Sequence, residues 1–401
     1  MTTSTPAAVT GPLALAVDGF RQELERLGYG PRSRRRQECL LADLSVWMDE
    51  RGVQPGALTS RAIAAYLEER RRSGLRLVTQ TGARSLLQYL RLGGVIPDAY
   101  RDAPAGPLGA LLGRYHAYLT NERGLNAGTI ANYDRTAERF IRAIGATDEI
   151  GLASLTAADV SRFLIGAARM KEAASLREIV SNLRSFLRYL HVAGLIDTPL
   201  AQAVPGHRSW RGGQVPKWLA PDDVSRMLQG CDRATTRGQR DHAILMLLAR
   251  LGLRAGEVSA MTLDDIDWRA GDVVIRGKGP RMDRLPLPSD VGAALAAYLR
   301  DGRSTVDDRR LFITTKAPIG GMSRASVTEI VSRAAARVGL FGVGPHRLRH
   351  SAATSMLRSG ASLPEIGQVL RHRHVDTTAV YAKVDQPALS LVARPWPGAS
   401  K

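Results

Sequence analysis

The chain has 401 residues, with 56 Lys and Arg against 38 Asp and Glu. The net charge of +18 points to a polyanion as partner, so DNA or RNA is expected before any motif is read, with phosphate contacts supplying a large, salt-sensitive share of binding. Cys39 and Cys231 offer neither a disulfide framework nor metal-ligand spacing, and no apolar run is long enough to span a bilayer or stands behind the basic region of a signal peptide, so a reducing cytoplasm is the expected location.

This length suits about two or three domains, each with its own core. Residues 1–12 are small, Thr/Pro-rich and aperiodic, and are expected to be disordered. From 13 to 97 apolar residues recur at helical spacing, with Leu58-Thr59 opening one segment (Ile63, Tyr66, Leu67) and Ser85 to Leu92 another. The pattern returns about a hundred residues later. Leu155-Thr156 opens Val160, Phe163 and Leu164, the run Arg184 to Leu190 parallels Arg84 to Leu90, and Gly194-Leu195-Ile196 echoes Gly94-Val95-Ile96. A duplicated helical domain, 13–97 and 107–204, is the reading. In the first copy Arg32, Arg34, Arg35 and Arg36, and the cluster Glu69 to Arg72, either touch phosphates or form solvated helix faces.

Residues 205–217 are rich in Gly, Pro and Arg and read as an extended linker, in which Arg211 and Lys217 are candidate DNA contacts. The third domain, 218–385, starts with a helix at Pro221-Asp222-Asp223, and a strongly apolar helix over 239–251 ends at Gly252. Asp272 to Pro288 reads as a hairpin, Val273, Val274 and Ile275 against Leu285 and Leu287, with Lys278 at the bend. Ser362 and Glu365 have capping-box spacing for a helix over 363–370, and Asp376 is a candidate cap for a last helix carrying Thr378 and Tyr381. The tail, 386–401, carries an apolar group (Leu389, Leu391, Val392, Trp396) that reads as packing on its own domain; docking on a neighbouring protomer is what a family resemblance implies for it.

Six residues of this third domain describe a phosphate site with a nucleophile. Arg254 and Arg349 can each offer a planar fork of donors to one phosphodiester. The Tyr381 phenol needs a cationic pocket and a base, which His346 and His372 can supply. Lys278, on a short bend, can protonate a departing sugar alkoxide. Only six of the 56 basic residues are lysines, so one inside this hairpin is informative. His346 and His350 stand four apart on a helix, near His372 and His374, but no carboxylate or thiol completes a zinc set and arginines surround them. No metal is therefore expected, and His350 reads as a packing or hydrogen-bonding residue. Tyr133 and Tyr189 read as core.

The strings Gly252-Leu253-Arg254-Ala255-Gly256-Glu257-Val258, Gly277-Lys278-Gly279, His346-Arg347-Leu348-Arg349-His350-Ser351-Ala352-Ala353-Thr354, and His372 nine residues before Tyr381, resemble the phage-integrase family of tyrosine recombinases in order and separation. The resemblance covers about 107–390. It implies a mainly α protein with a small antiparallel β-sheet in the catalytic domain (α+β), two helical SAM-like domains leading into it, and a core-binding role for the second. It further implies attack by Tyr381 to give a 3′-phosphotyrosyl link with no cofactor, Lys278 protonating the 5′ oxygen, and Glu257 buttressing the pocket. Double-stranded DNA sites held by a homo-tetramer, accessory DNA-binding proteins, and a monomer or dimer off DNA belong to the same expectation. The extra first domain suggests the integrase or transposon recombinase of a mobile element. Chromosome-dimer resolution, type IB topoisomerase-like relaxation and idle DNA binding are the alternatives. One departure is Arg371, where the family usually has glycine before the second histidine; with Arg373 and His374 it reads as a DNA contact or as a solvated basic helix end.

Overall fold

The computed structural model of the protein describes residues 9–73, 80–96, 107–170, 173–205, 218–277, 282–371, 378 and 381. Lys278, His372, Arg373, Arg211, Lys217 and the tail expected at 386–401 lie outside the described residues. Two compact units divide the chain: Met1–Phe20 with Gln37–Arg211, and Arg21–Arg36 with Gly212–Lys401.

Two runs of helices precede residue 205: α1 (Val17–Arg26), α2 (Pro31–Glu50), α3 (Ser60–Arg72) and α4 (Gln80–Leu92), then α5 (Pro107–Asn121), α6 (Ala127–Ile144), α7 (Glu149–Ala153), α8 (Ala157–Met170) and α9 (Ala173–Val192). Helices α3 and α8 open on threonines whose hydroxyls accept from a backbone N–H three residues on, Ala62 and Asp159 respectively. Buried positions repeat at a fixed offset: Leu86, Leu87 and Leu90 match Phe186, Leu187 and Leu190, and even Ser85 and Ser185 are both buried. Tyr89 lies 5.2 Å from Phe20, as Tyr189 lies 5.1 Å from Tyr115. Both C-terminal turns use a left-handed glycine, Gly94 (φ +67°) and Gly194 (φ +69°). That turn folds the chain back, so the Val95 and Leu195 N–H groups each reach a carbonyl, Leu90 and Leu190, at 2.9 Å. Ile96 and Ile196 then close over the core. Each such aliphatic side chain contributes about 1.5–3 kcal/mol by leaving water.

Residues 21–36, which the sequence groups with the rest of 13–97, fall in the second unit. Within that unit the Ile319 N–H donates to the Leu27 carbonyl at 2.8 Å.

The second unit is organised on α11 (Thr236–Arg250), whose stretch Ala243 to Leu248 is buried all round, as befits a helix at the centre of a core. Around it lie α10 (Pro221–Gln229), α12 (Ala255–Ala260), α13 (Ser289–Ala297), α14 (Arg324–Arg337) and α15 (Pro345–Arg358), with α16 (Leu363–Leu370) against α15. The hairpin forms as its alternation requires: β2 (Asp272–Arg276) pairs antiparallel with β3 (Met282–Pro286), placing Val273 opposite Leu285. A two-residue strand, β1 (Ile266–Asp267), which the alternation does not announce, completes a sheet in the order β1-β2-β3. Ser362 and Glu365 form the expected capping box at the start of α16.

Candidate active site

Three helix ends converge on one cavity of about 880 Å³ lined by Arg254, Glu257, Arg276, Gly277, Arg324, His346, Arg347, Arg349 and Arg371 among others. Arg254 stands in extended backbone just before α12. Glu257, one turn into that helix, accepts from the Arg254 backbone N–H (2.8 Å) and from its Nη1 (2.6 Å), which aims the guanidinium while leaving it partly exposed to the cavity.

Arg349 is buried on α15 and donates to the carbonyls of Gly252 (2.6 Å) and Leu370, at the ends of α11 and α16. Gly252 is required there on two counts. Its φ is +59°, and a Cβ would stand 2.5 Å from Leu370 Cδ2. Burial, reinforced by Arg254, lowers the Arg349 guanidinium to about 10, so it remains charged at neutral pH.

His346 is on the same helix, one turn before Arg349, and is exposed at the cavity. The packed protein around it, then the cations Arg324, Arg349 and Arg254, lower its proton affinity and favour neutral imidazole. A neutral ring nitrogen among guanidinium groups can accept a proton from a group brought to a bound phosphate.

Arg371 is not the solvated helix end that one reading of the sequence made it: the residue is buried at the cavity, left-handed at φ +56°, and its Nη2 donates to Glu257 at 2.9 Å while Nη1 donates to the Val369 carbonyl. Burial raises the Glu257 carboxyl, but Arg371 and Arg254 outweigh it and hold Glu257 below its ordinary value. Glu257 thus ties the residue before α12 to the residue after α16.

Tyr381 is buried in a small apolar cluster with Ala353, Ile366 and Leu370, outside the cavity wall. Its hydroxyl meets His350 Nδ1 at 2.9 Å, and the rings are 5.6 Å apart. Of the two histidines on α15 it is His350, not His346, that meets the phenol, a placement that i, i+4 spacing allows but cannot assign. Burial raises the phenol above its ordinary value and Arg349 only partly offsets this, so the hydroxyl keeps its proton. Of the cationic run at the start of α2, Arg32, Arg35 and Arg36 are exposed, whereas Arg34 pairs with Glu25.

Two guanidinium groups and an imidazole thus share one cavity, and a phenol is held by His350 one helix turn further along α15. Family models match this chain over residues 217–387 (phage integrase family) and 112–194 (phage integrase, N-terminal SAM-like domain). A chain described as an integrase/recombinase, y4rA of Sinorhizobium fredii, is 40% identical over 392 residues, which is 97% of this chain and 95% of the relative. The tyrosine recombinase XerD of Mycobacterium tuberculosis is 33% identical over 306 residues, covering 71% and 95%. Among solved structures, XerH bound to palindromic difH substrate shares the fold (TM-score 0.57, 17% identity, 82% of this chain and 93% of that one). A lambda integrase dimer bound to a COC′ core site does so too (TM-score 0.55, 20% identity, 73% and 98%).

The chain belongs to the phage integrase family of tyrosine recombinases, enzymes that cleave and rejoin DNA through a tyrosine intermediate.

Proposed function

We propose that this recombinase acts for a mobile element, and that Tyr381 attacks a scissile phosphate held by Arg254 and Arg349. The Tyr381 oxygen forms a bond to phosphorus, the bond to the 5′ oxygen breaks, and a 3′-phosphotyrosyl link results. The phenolic proton passes to a histidine, either His350, which the hydroxyl meets at 2.9 Å, or His346 or His372 once the phenol reaches the phosphate, and Lys278 protonates the departing 5′ oxygen; His372 and Lys278 enter from the family resemblance. A second strand's 5′ hydroxyl reverses the step. The energy of the original bond is retained in the adduct, so positioning and charge stabilisation carry the catalysis. Each protomer cuts one strand, so exchange between two duplexes calls for four protomers on paired sites.

The observation that carries this reading is the cavity shared by Arg254, His346 and Arg349, with the Tyr381 hydroxyl held by His350 on the same helix. The mobile-element reading rests on extent: the y4rA match takes in 97% of this chain, the XerD match only 71%. The test is to express wild type and Tyr381→Phe, denature the cells, and sequence DNA still attached to the protein. Adduct from wild type alone supports Tyr381 as nucleophile and reveals the site. Adduct from both moves the nucleophile elsewhere, and adduct from neither argues for idle DNA binding.

A further inference from the structure

The two arginines offered to the phosphate share one support, the end of α16. Arg349 donates to the Leu370 carbonyl, and Arg371, the next residue, donates to Glu257, which in turn holds Arg254. Arg371 Nη1 also turns back to the Val369 carbonyl at 2.8 Å, so two of the carbonyls that a helix end leaves open are taken up by guanidinium groups. Glu257 receives three donors: Oε1 accepts from Arg254 Nη1 at 2.6 Å, and Oε2 accepts from the Arg254 backbone N–H at 2.8 Å and from Arg371 Nη2 at 2.9 Å.

The charges here do not cancel. Three guanidinium groups, Arg254, Arg349 and Arg371, face two carboxylates, Glu257 and, beside Arg371, Asp283 of β3. Without Arg371 they would balance, and a phosphate would have to win Arg254 from a carboxylate with no other charged partner. With Arg371 on the second oxygen one positive charge is left over. Arg254, whose side chain is 41% exposed, can deliver it to the cavity; Arg371, at 6%, is held inside and acts through its neighbours.

We propose that Arg371 is a positioning residue for the cleavage reaction: by satisfying Glu257 it leaves Arg254 aimed at the cavity yet able to exchange its carboxylate contact for a phosphate oxygen, and through Leu370 it keeps Arg254 in register with Arg349. This rests on the DNA-cleaving reading of the site. The glycine that the family usually has at this position carries no side chain to do either.

The test uses full-length protein carrying Tyr381→Phe and a fluorescein-labelled duplex of fixed arbitrary sequence, with affinity read by anisotropy at one low salt concentration. Arg254→Ala weakens binding about tenfold and Arg371→Gln about fivefold, while Arg371→Lys, which keeps a charge on Glu257, stays within about twofold. In a Glu257→Gln background the Arg371→Gln change costs less than about twofold, because its effect runs through the carboxylate. A carbon-13 titration of the Glu257 carboxyl supplies a readout that packing alone does not move: its pKa rises in Arg371→Gln and holds in Arg371→Lys. Arg371→Gly, free of left-handed strain, stands in if the glutamine variant does not fold. Wild-type affinity in Arg371→Gln overturns the proposal. So does a loss that persists in the Glu257→Gln background, which would make Arg371 a direct phosphate ligand. Wild-type affinity in Arg254→Ala sinks the phosphate reading of the cavity itself, whereas a loss in Arg254→Ala with none in Arg371→Gln sinks the positioning role alone.

Discussion

Arg371 illustrates how magnitudes decide the sign of a substitution. A non-glycine residue in the left-handed region costs about 1–2 kcal/mol, so Arg371→Gly relieves the backbone. It also strips Glu257 of a buried partner, and breaking a buried pair costs about 3–5 kcal/mol. The expected result is net destabilisation by about 2 kcal/mol, read as a lower denaturation midpoint; an Arg371→Gly protein as stable as wild type would show the pair to be worth less than the strain. Glu257 gives the complementary pH test. Its folded carboxyl is held below the ordinary value of 4.5, so its stabilising contribution is complete above about pH 4.5 and is lost as pH falls through the lower folded value. Thermal melts taken from neutral pH downward should show that decline, and Glu257→Gln should lack it.

Among the elements, α15 sets the chemistry, because His346, Arg349 and His350 are spaced i, i+3 and i+4 and project from adjoining parts of one helix. Removing the His350 side chain takes away a hydrogen bond worth about 0.5–1.5 kcal/mol. Tyr381 in His350→Ala should be nitrated by tetranitromethane several-fold faster, while Tyr298, equally buried, should stay at its wild-type rate. Loss of the α16 cap in Ser362→Ala should cost about 1 kcal/mol in urea unfolding, since its hydroxyl serves the first turn of the helix whose final carbonyl receives Arg349. Much of this region is legible in sequence. The strings around Arg254, His346 and Arg349 place all three at one cavity, and the α16 capping box and the β2–β3 hairpin follow from residue type and alternation. Less is legible where the partner is remote in the chain. Nothing in the run from Leu370 to His374 shows that Arg371 turns left-handed and inward, because the cause is a carboxylate 114 positions away. His350 likewise becomes informative only when Tyr381 lies beside it.

For the whole molecule, a net charge of +18 makes duplex binding steeply salt-sensitive. With six to ten phosphate contacts, affinity should fall by about 10³–10⁵ between 50 and 200 mM salt. A fall of tenfold or less, measured by fluorescence anisotropy, would mean that most of the charge lies away from the DNA.

The expected duplication carries a different consequence, for biogenesis. Tandem copies of one fold can exchange elements while they form, and neighbouring domains of like topology are prone to misassembly. The two runs of helices do not bury the same side chains: Leu86 in α4 stands where α9 has Phe186. A helix that strayed into the other copy would leave a void at one position and overfill the next. If the differing buried volumes keep the two runs of helices apart during folding, a chain whose α4 carries the α9 sequence should refold with a larger share of entangled, domain-swapped species.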